Sequence, residues 1–224
     1  MVTEPLSRTA CIAGSSGLIG AALLPLLLAS PFYRQVHALL RAGSAEPAPH
    51  PKLTVHRVDF QHLPVLPAVD DVYITLGTTL KAAGSEAAFR MVDFDAVVQT
   101  ASAARAAGAQ RIAVVSALGA NPKSRYYYRR VKGEMQQAVL HLGFETVVMA
   151  QPSLLRGDRT RLGQADRPGE RRALHLLGWL HRCLPQKIRP IDANVVALAL
   201  CRAMDTTPPG VRLLDSVTLH QLGG

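Results

Sequence analysis

Two features of the sequence predict an α/β fold in which a parallel sheet is covered by helices on both faces. Short runs rich in β-branched residues alternate with segments whose apolar residues recur at helical spacing, which is typical of strands joined by crossover helices. A glycine-rich segment, Gly14-Ser-Ser-Gly17-Leu-Ile-Gly20, stands between the first apolar run and the first helical run. That order of strand, glycine turn and helix is typical of the doubly wound, Rossmann-like arrangement.

The elements follow in chain order. The predicted strands lie at Thr9–Ala13, Val36–Leu40, Leu53–Val58, Val72–Leu76, Ile112–Ser116 and Thr146–Ala150, with a final strand expected at Val211–Leu214. Helices are indicated after Gly17, between Phe89 and Ala104, between Val131 and Leu142, and over Asp192–Met204. The proline-rich stretch Ala42–Pro51 is predicted to be a surface loop. We therefore expect a single domain over residues 1–224, with residues 151–192 forming a small segment on the substrate side.

Composition excludes several classes of protein. The 224 residues are 48% hydrophobic with a mean hydropathy of +0.13, as expected for a well-packed globular chain. The longest apolar run, Leu18–Ala29, is too short to span a membrane, and we expect neither a signal peptide nor a membrane partner. The net charge of +9 permits nucleic-acid binding, but only 5% of residues are aromatic, so no base-stacking surface is expected. Cys11, Cys183 and Cys201 have no metal or redox spacing and predict reduced thiols in a cytoplasmic protein.

The three glycines of the turn have separate physical roles in binding a dinucleotide. Gly14 allows a sharp turn at the end of the strand, Gly17 lets the backbone approach phosphate, and Gly20 lets the helix pack closely. The pyrophosphate then lies at the helix N-terminus, where unpaired N–H groups and the helix dipole favour negative charge. A glycine turn without any ligand is the alternative at this stage.

Further candidate residues stand at the ends of the predicted strands. Arg41 follows the second strand, where an acidic residue would bind the ribose of NAD and an arginine accommodates the 2′-phosphate of NADP. Asp59, after the third strand, either accepts from the adenine amino group or caps a helix. Leu76, Gly77 and Thr78 end the fourth strand, at the edge where ligands bind in open α/β sheets. A solvent-exposed arginine and an ordinary turn glycine are the alternatives for Arg41 and Gly77.

Ser116, Tyr128 and Lys132 are the candidate catalytic residues. Tyr128 and Lys132 are four residues apart on a helical segment, so they share one face. A nearby ammonium favours the ionised form of a phenol, which can then exchange a proton with a carbonyl compound. Ser116, ending the fifth strand, could hold the substrate oxygen. The alternative is that the Tyr–Lys pair lies on an exposed helix and has no catalytic role. Tyr126 and Tyr127 are neighbouring alternatives to Tyr128 as the catalytic tyrosine.

Residues 156–172 form a basic segment after the sixth strand. It holds six arginines (Arg156, Arg159, Arg161, Arg167, Arg171 and Arg172) against three acidic residues (Asp158, Asp166 and Glu170). Such a segment either binds phosphate or an anionic substrate or is a solvated loop. His141, His175 and His181 lack the spacing of metal ligands, and no metal site is predicted.

With these residues in view, the chain resembles the short-chain dehydrogenase/reductase superfamily. Within it, the atypical, epimerase-like group has the Gly-x-x-Gly-x-x-Gly turn seen here, and the closest resemblance is to the HIV Tat-interacting oxidoreductase-like branch. The resemblance covers roughly residues 8–205 and rests on three strings: Leu76-Gly77-Thr78-Thr79 followed by Lys81-Ala-Ala-Gly84, Tyr128-x-x-Val131-Lys132-Gly133-Glu134, and Arg167-Pro168-Gly169-Glu170. The chain departs from the pattern at Ala42, where relatives often have a second basic residue, and at Gln151-Pro152, which replaces Arg-Pro.

The resemblance implies a set of cofactor contacts and roles. On the adenosine side it implies NADPH binding by Ser16, Gly17, Leu18, Ile19 and Arg41. Along the rest of the cofactor it implies Leu76, Gly77, Tyr128, Lys132 and Leu155, with Arg167 as a further contact. Tyr128 would be the proton donor, and Lys132 would lower its pKa and hold the nicotinamide ribose.

The sequence thus favours an NADPH-dependent oxidoreductase that reduces a small carbonyl substrate, with NADP(H) preferred and NAD(H) possible. Two alternatives remain: an NADP(H)-binding sensor with little turnover that engages a protein partner, and a nucleotide-sugar epimerase-like enzyme. The substrate is expected to be anionic if the basic segment binds it.

Overall fold

The computed structural model describes residues 8–157, residue 185 and residues 187–224. Seven parallel strands form one sheet in the order β3-β2-β1-β4-β5-β6-β9, and β7 pairs with β8 separately. The strands are β1 (Arg8–Ala13), β2 (Tyr33–Arg41), β3 (Leu53–Val58), β4 (Asp71–Ile74), β5 (Arg111–Val115), β6 (Thr146–Gln151), β7 (Leu155–Arg156), β8 (Ile191–Asp192) and β9 (Gly210–Asp215). The predicted Rossmann-like fold is confirmed.

The predicted strands of the large sheet are all present, with ends shifted by a few residues. The fourth and fifth strands end at Ile74 and Val115 rather than at Leu76 and Ser116. These last two residues leave the ladder, which frees them to line the cleft described below.

The helices are α1 (Leu18–Ala29), α2 (Leu80–Ala83), α3 (Glu86–Arg90), α4 (Ala96–Ala106), α5 (Tyr127–Leu140), α6 (Ala193–Thr206) and α7 (Ser216–Gly223). A π-helical turn, Met91–Asp95, joins α3 to α4. The single helix predicted between Phe89 and Ala104 is therefore divided. A π turn keeps the chain helical but adds a residue to the turn, which apolar periodicity does not detect.

Helices cover both faces of the sheet, as predicted. Alternate residues of a strand point to opposite faces, and β1 shows this clearly. Ala10 and Ile12 pack in a core with α1 and α6, whereas Cys11 and Ala13 pack in a second core with α4 and α5. The cysteines at positions 11 and 201 are free, and Cys183 lies outside the described residues.

A buried polar cluster lies at the amino-terminal edge of the sheet. Asp71, the first residue of β4, is fully buried. Its carboxylate accepts hydrogen bonds from Tyr33 Oη at 2.5 Å and Arg8 Nη1 at 2.8 Å, and Arg111 Nε lies 3.6 Å away. Burial raises the pKa of Asp71, while the bond from Tyr33 and the charges of the two arginines oppose that rise.

The described residues contain neither a membrane-spanning helix nor a cluster of metal-ligating side chains. None of the helices there has the length and apolar character needed to cross a bilayer. In the same part of the chain, no three histidine, cysteine or acidic side chains are grouped closely enough to hold a metal ion.

Candidate functional site

A cleft of about 1290 Å³ opens at the carboxyl-terminal edge of the sheet. Because all strands of the large sheet are parallel, their last residues meet at this edge, and the strand order reverses beside β1. Nearly all described residues of the predicted site line the cleft: Gly14, Ser16, Gly17, Leu18, Ile19, Arg41, Asp59, Leu76, Gly77, Thr78, Ser116, Tyr128, Lys132 and Leu155. Gly20 does not line it, and Arg167 lies outside the described residues.

The glycine turn has the geometry expected of a phosphate-binding turn. Gly14 has a φ of +93°. The backbone N–H of Gly17 closes the turn by donating to Gly14 O at 3.0 Å. A Cβ on Gly20 would lie 2.1 Å from Gly14 O, so Gly20 packs against the turn instead of facing the cleft. Helix α1 begins without a side-chain cap and without an acidic residue in its first turn. An uncapped helix N-terminus facing a cleft suits the pyrophosphate of a dinucleotide.

Arg41 and Asp59 lie at the end of the cleft formed by β2 and β3. Arg41 is exposed, and the turn that follows it is held by Arg57, which donates to Arg41 O at 3.3 Å and to Ser44 O at 2.7 Å. Asp59 accepts from the backbone N–H of Gln61 at 2.9 Å, and no helix starts there. The helix-cap alternative for Asp59 is therefore wrong, because its carboxylate closes a tight turn.

The loop after β4 carries Leu76, Gly77 and Thr78 along the middle of the cleft. The Thr78 N–H donates to Asp93 Oδ2 at 2.7 Å. A Cβ on Gly77 would lie 3.3 Å from Asp93 Oδ1 and 3.7 Å from Lys132 Nζ. Gly77 therefore passes close to a buried pair of charges, and a Cβ there would be tight against Asp93 but in ordinary contact with Lys132.

Asp93 is the functional residue that the sequence reasoning missed. Lys132 Nζ lies 2.7 Å from Asp93 Oδ1, and the two side chains are only 4% and 1% exposed. Asp93 stands four residues after the buried Phe89, on the face of the helical segment that packs inward. A carboxylate at such an apolar position was the one available signal, and its partner 39 residues later could not be read from spacing.

The predicted effect of Lys132 on Tyr128 is only partly correct. Lys132 lowers the pKa of the Tyr128 phenol, but burial raises it by more and the Asp93 carboxylate raises it further. The net pKa lies above the usual value for tyrosine. Lys132 therefore acts in the predicted direction but is outweighed by burial, and the role of Tyr128 as proton donor stays a prediction.

Ser116 is buried at the end of β5, with its hydroxyl oriented by a neighbouring amide. Gln136 Nε2 on α5 donates to Ser116 Oγ at 2.6 Å, and Gln136 Oε1 accepts from Gln151 Nε2 at 3.3 Å. Because Gln136 occupies an acceptor site on the oxygen, the Ser116 O–H remains available to donate. Gln151, one of the residues at which the chain departs from the resembled pattern, thus supports the amide that holds Ser116.

Residues that follow β6 form a further wall of the cleft. Leu155 in β7 is half-buried and packs against the core that contains α1. A Cβ on Gly157 would lie 2.8 Å from a methyl of Leu18, so the chain passes close to the start of α1. The rest of the basic segment, residues 158–172, lies outside the described residues, and its binding of anions stays a prediction.

The chain matches a family model, named relatives and solved structures. A family model described as NAD(P)H-binding matches residues 14–170. The mitochondrial protein FMP52 of Coccidioides immitis is 33% identical over 245 residues, which cover 96% of this chain and 96% of that protein. The mitochondrial protein fmp52 of Aspergillus fumigatus is 34% identical over 227 residues, which cover 94% and 93%. The structure of MoeE5 in complex with UDP-glucose and NAD superposes with a TM-score of 0.67 at 17% identity, covering 92% of this chain and 75% of that one.

These comparisons confirm the epimerase-like Rossmann fold and correct one prediction. The likeness to MoeE5 is too distant in sequence to show more than the fold. The predicted cytoplasmic location is wrong, because relatives at 33% and 34% identity are named as mitochondrial proteins. The resemblance to the Tat-interacting branch stays a prediction.

Proposed function

Because the chain belongs to the NAD(P)H-binding family, we propose that it is an NADPH-dependent oxidoreductase that reduces a carbonyl compound with Tyr128 as the proton donor. One observation carries this proposal. Ser116, Tyr128 and Lys132 line the same cleft as the glycine turn, so a dinucleotide bound at the turn can extend to them. A protein that only bound the dinucleotide would not need a hydroxyl and a phenol in this wall.

Each residue has a definite task in the proposed reduction. Ser116 donates its free O–H to the carbonyl oxygen and holds it against the cleft wall. Tyr128 gives its phenolic proton to that oxygen as the new C–H bond forms. Lys132 would hold the nicotinamide ribose, in the role that the family resemblance implies. The reduced nicotinamide, when bound, would supply the hydride.

The protonation state of Tyr128 supports reduction over oxidation. A proton donor must carry its proton at working pH, whereas oxidation of an alcohol needs the phenolate as a base. A tyrosine is already a neutral phenol at neutral pH, and burial, which raises the pKa of Tyr128, makes the phenolate harder to form.

Arg41 supports NADPH over NADH as the cofactor. Its exposed guanidinium at the end of β2 can form charge-assisted hydrogen bonds with a 2′-phosphate. We expect Arg41→Ala to weaken NADPH binding by about 10- to 100-fold and NADH binding by less than about threefold. Fluorescence titration measures both, and Arg34→Ala, an exposed arginine on the same strand, is the matched control. Equal losses for the two cofactors would contradict the preference.

The proposed reaction is tested by Tyr128→Phe. This change keeps the ring and removes the transferable proton, so NADPH oxidation with a panel of aldehydes and ketones should fall by about 100-fold or more, while NADPH binding is unchanged. Tyr126→Phe is the control, because Tyr126 is 70% exposed and is absent from the cleft lining. Full activity in the Tyr128→Phe variant would refute the mechanism.

A sensor that binds NADP(H) without turnover is the second candidate. The observation in its favour is Asp93, which neutralises Lys132 and leaves Tyr128 without strong activation. Tight NADPH binding with no reduction of any carbonyl in the panel would favour this candidate.

A further inference from the structure

Among the described residues that line the cleft, two exposed arginines form no salt bridge, Arg41 and Arg129. Lys132 is neutralised by Asp93, and Asp59 is held by Gln61 and His62 in its own turn. Arg41 has a proposed ligand in the 2′-phosphate. Arg129 also lines the cleft, and it forms no salt bridge with any acidic residue in the described part of the chain.

The guanidinium of Arg129 lies against a backbone position that suits only glycine. A Cβ on Gly119 would lie 3.3 Å from Arg129 Nε and 3.4 Å from Cζ. Gly119 also has a φ of +74°, which side chains other than glycine rarely adopt. Arg129 Cζ lies 5.4 Å from the centre of the Tyr126 ring, a second contact that positions the charge.

This arrangement is built into the loop that follows β5. Leu118 N–H donates to Pro152 O at 2.9 Å, and Asn121 N–H donates to Arg129 O at 2.9 Å. These bonds tie the loop to the end of β6 and to α5. Arg129 therefore stands at the same end of the cleft as Ser116 and Tyr128, next to Tyr128 in the chain.

Apolar side chains also line this end of the cleft. They include Leu118, after β5, and Leu154, after β6, although Ser153 between β6 and β7 is polar. Apolar side chains beside the Arg129 guanidinium fit a ligand that has an apolar body and one anionic group. The planar fork of a guanidinium matches a carboxylate in a one-to-one, bidentate pair.

We propose that the substrate is a carbonyl compound with an apolar body and a carboxylate, and that Arg129 binds the carboxylate. The carbonyl part of this statement rests on the proposed function. The anion-binding part rests on Arg129 and its contacts with Gly119 and Tyr126.

The kinetic test compares 4-formylbenzoate with its methyl ester, which keeps the aldehyde and the ring but loses the charge. We expect Arg129→Ala to lower kcat/KM for the acid by about 10- to 100-fold, mainly through KM, and to change the ester by less than about threefold. Arg129→Lys should restore part of the loss. Lys123→Ala removes an exposed charge just before α5 that does not line the cleft, and it should leave both substrates unchanged. Equal rates for acid and ester, or equal losses in Arg129→Ala, would overturn the proposal.

A binding measurement separates this proposal from the proposed function. Calorimetric titration of the NADPH-loaded protein with benzoate and benzamide needs no turnover. Benzoate binding that exceeds benzamide binding and is lost in Arg129→Ala supports the anion site even if neither aldehyde is reduced, in which case the oxidoreductase proposal fails alone. Benzoate that binds no better than benzamide would overturn the anion site, whatever the enzyme reduces.

Discussion

Asp93→Asn removes the charge that faces Lys132 and leaves the size of the side chain almost unchanged. The Asp93 and Lys132 side chains are 1% and 4% exposed and their charged atoms are 2.7 Å apart, so the variant would leave the lysine charge buried in the cleft wall without its partner. Removing one partner of a buried ion pair costs about 3–5 kcal/mol. We expect the free energy of unfolding to fall by about 3 kcal/mol, the lower end of that range, because Asn can still accept the Thr78 N–H.

The same change should alter the pH dependence of carbonyl reduction. Burial and the Asp93 charge raise the pKa of Tyr128 and Lys132 lowers it, so the variant loses one of the two raising effects and keeps the lowering effect of the lysine. The pKa of Tyr128 therefore falls. Because a proton donor loses activity as the pH rises through its pKa, the alkaline decline of kcat/KM should begin at a lower pH in Asp93→Asn than in the wild type.

Urea unfolding and the pH profile of NADPH oxidation measure the two effects. Asp95→Asn is the control, since Asp95 lies on the same π-helical turn and forms no salt bridge with a described residue; its cost should stay below about 1 kcal/mol. Adding Lys132→Met to Asp93→Asn removes the unpaired charge and should recover part of the stability. An Asp93→Asn variant as stable as the wild type, or an alkaline decline moved to higher pH, would refute this account of the pair.

Two further predictions concern the fold. Gly20→Ala should lower the free energy of unfolding by about 3 kcal/mol and Gly17→Ala by about 1 kcal/mol. The reason is that an added Cβ would lie 2.1 Å from Gly14 O at position 20 but 3.3 Å from it at position 17. Urea unfolding measures both values, and the reverse order would contradict this prediction. Tyr33→Phe removes a 2.5 Å bond to the buried Asp71 carboxylate and should cost about 1–3 kcal/mol at pH 7. The pKa of Asp71 in the folded protein is already raised, and losing the Tyr33 bond raises it further. The Asp71 carboxyl therefore stays protonated to a higher pH, and the loss of folding free energy caused by Tyr33→Phe should be smaller at pH 4 than at pH 7. An equal cost at both pH values would show that the bond to the charged carboxylate is not responsible.

The predictable part of the structure is the part set by local pattern. Strand and helix periodicity, the three glycines and the residues just beyond strand ends are all readable within short windows. A parallel sheet then places those ends at one edge without further information. For that reason Arg41, Gly77 and Ser116 could be assigned to one cleft from the sequence.

The unpredicted part depends on contacts between distant segments. Asp93 and Lys132 are 39 residues apart, and their pairing follows from the packing of the π-helical turn against α5. Gln136 reaches Ser116 across a separation of 20 residues, and only the fold shows that its amide orients the hydroxyl. The net direction of the Tyr128 pKa shift also depends on packing, since burial and the Asp93 charge are properties of the packed site and not of the Tyr–Lys spacing.

The chemistry of the two groups facing Asp93 explains why a carboxylate suits this position. The Thr78 N–H lies on one side and the Lys132 ammonium on the other, and both are donors. A carboxylate offers an acceptor oxygen to each, whereas an amide offers one oxygen and turns its NH₂ toward the second donor. One carboxylate thus fixes the cofactor loop after β4 to the helix that carries Tyr128. Its charge also raises the pKa of Tyr128, in the same direction as burial, which has the larger effect.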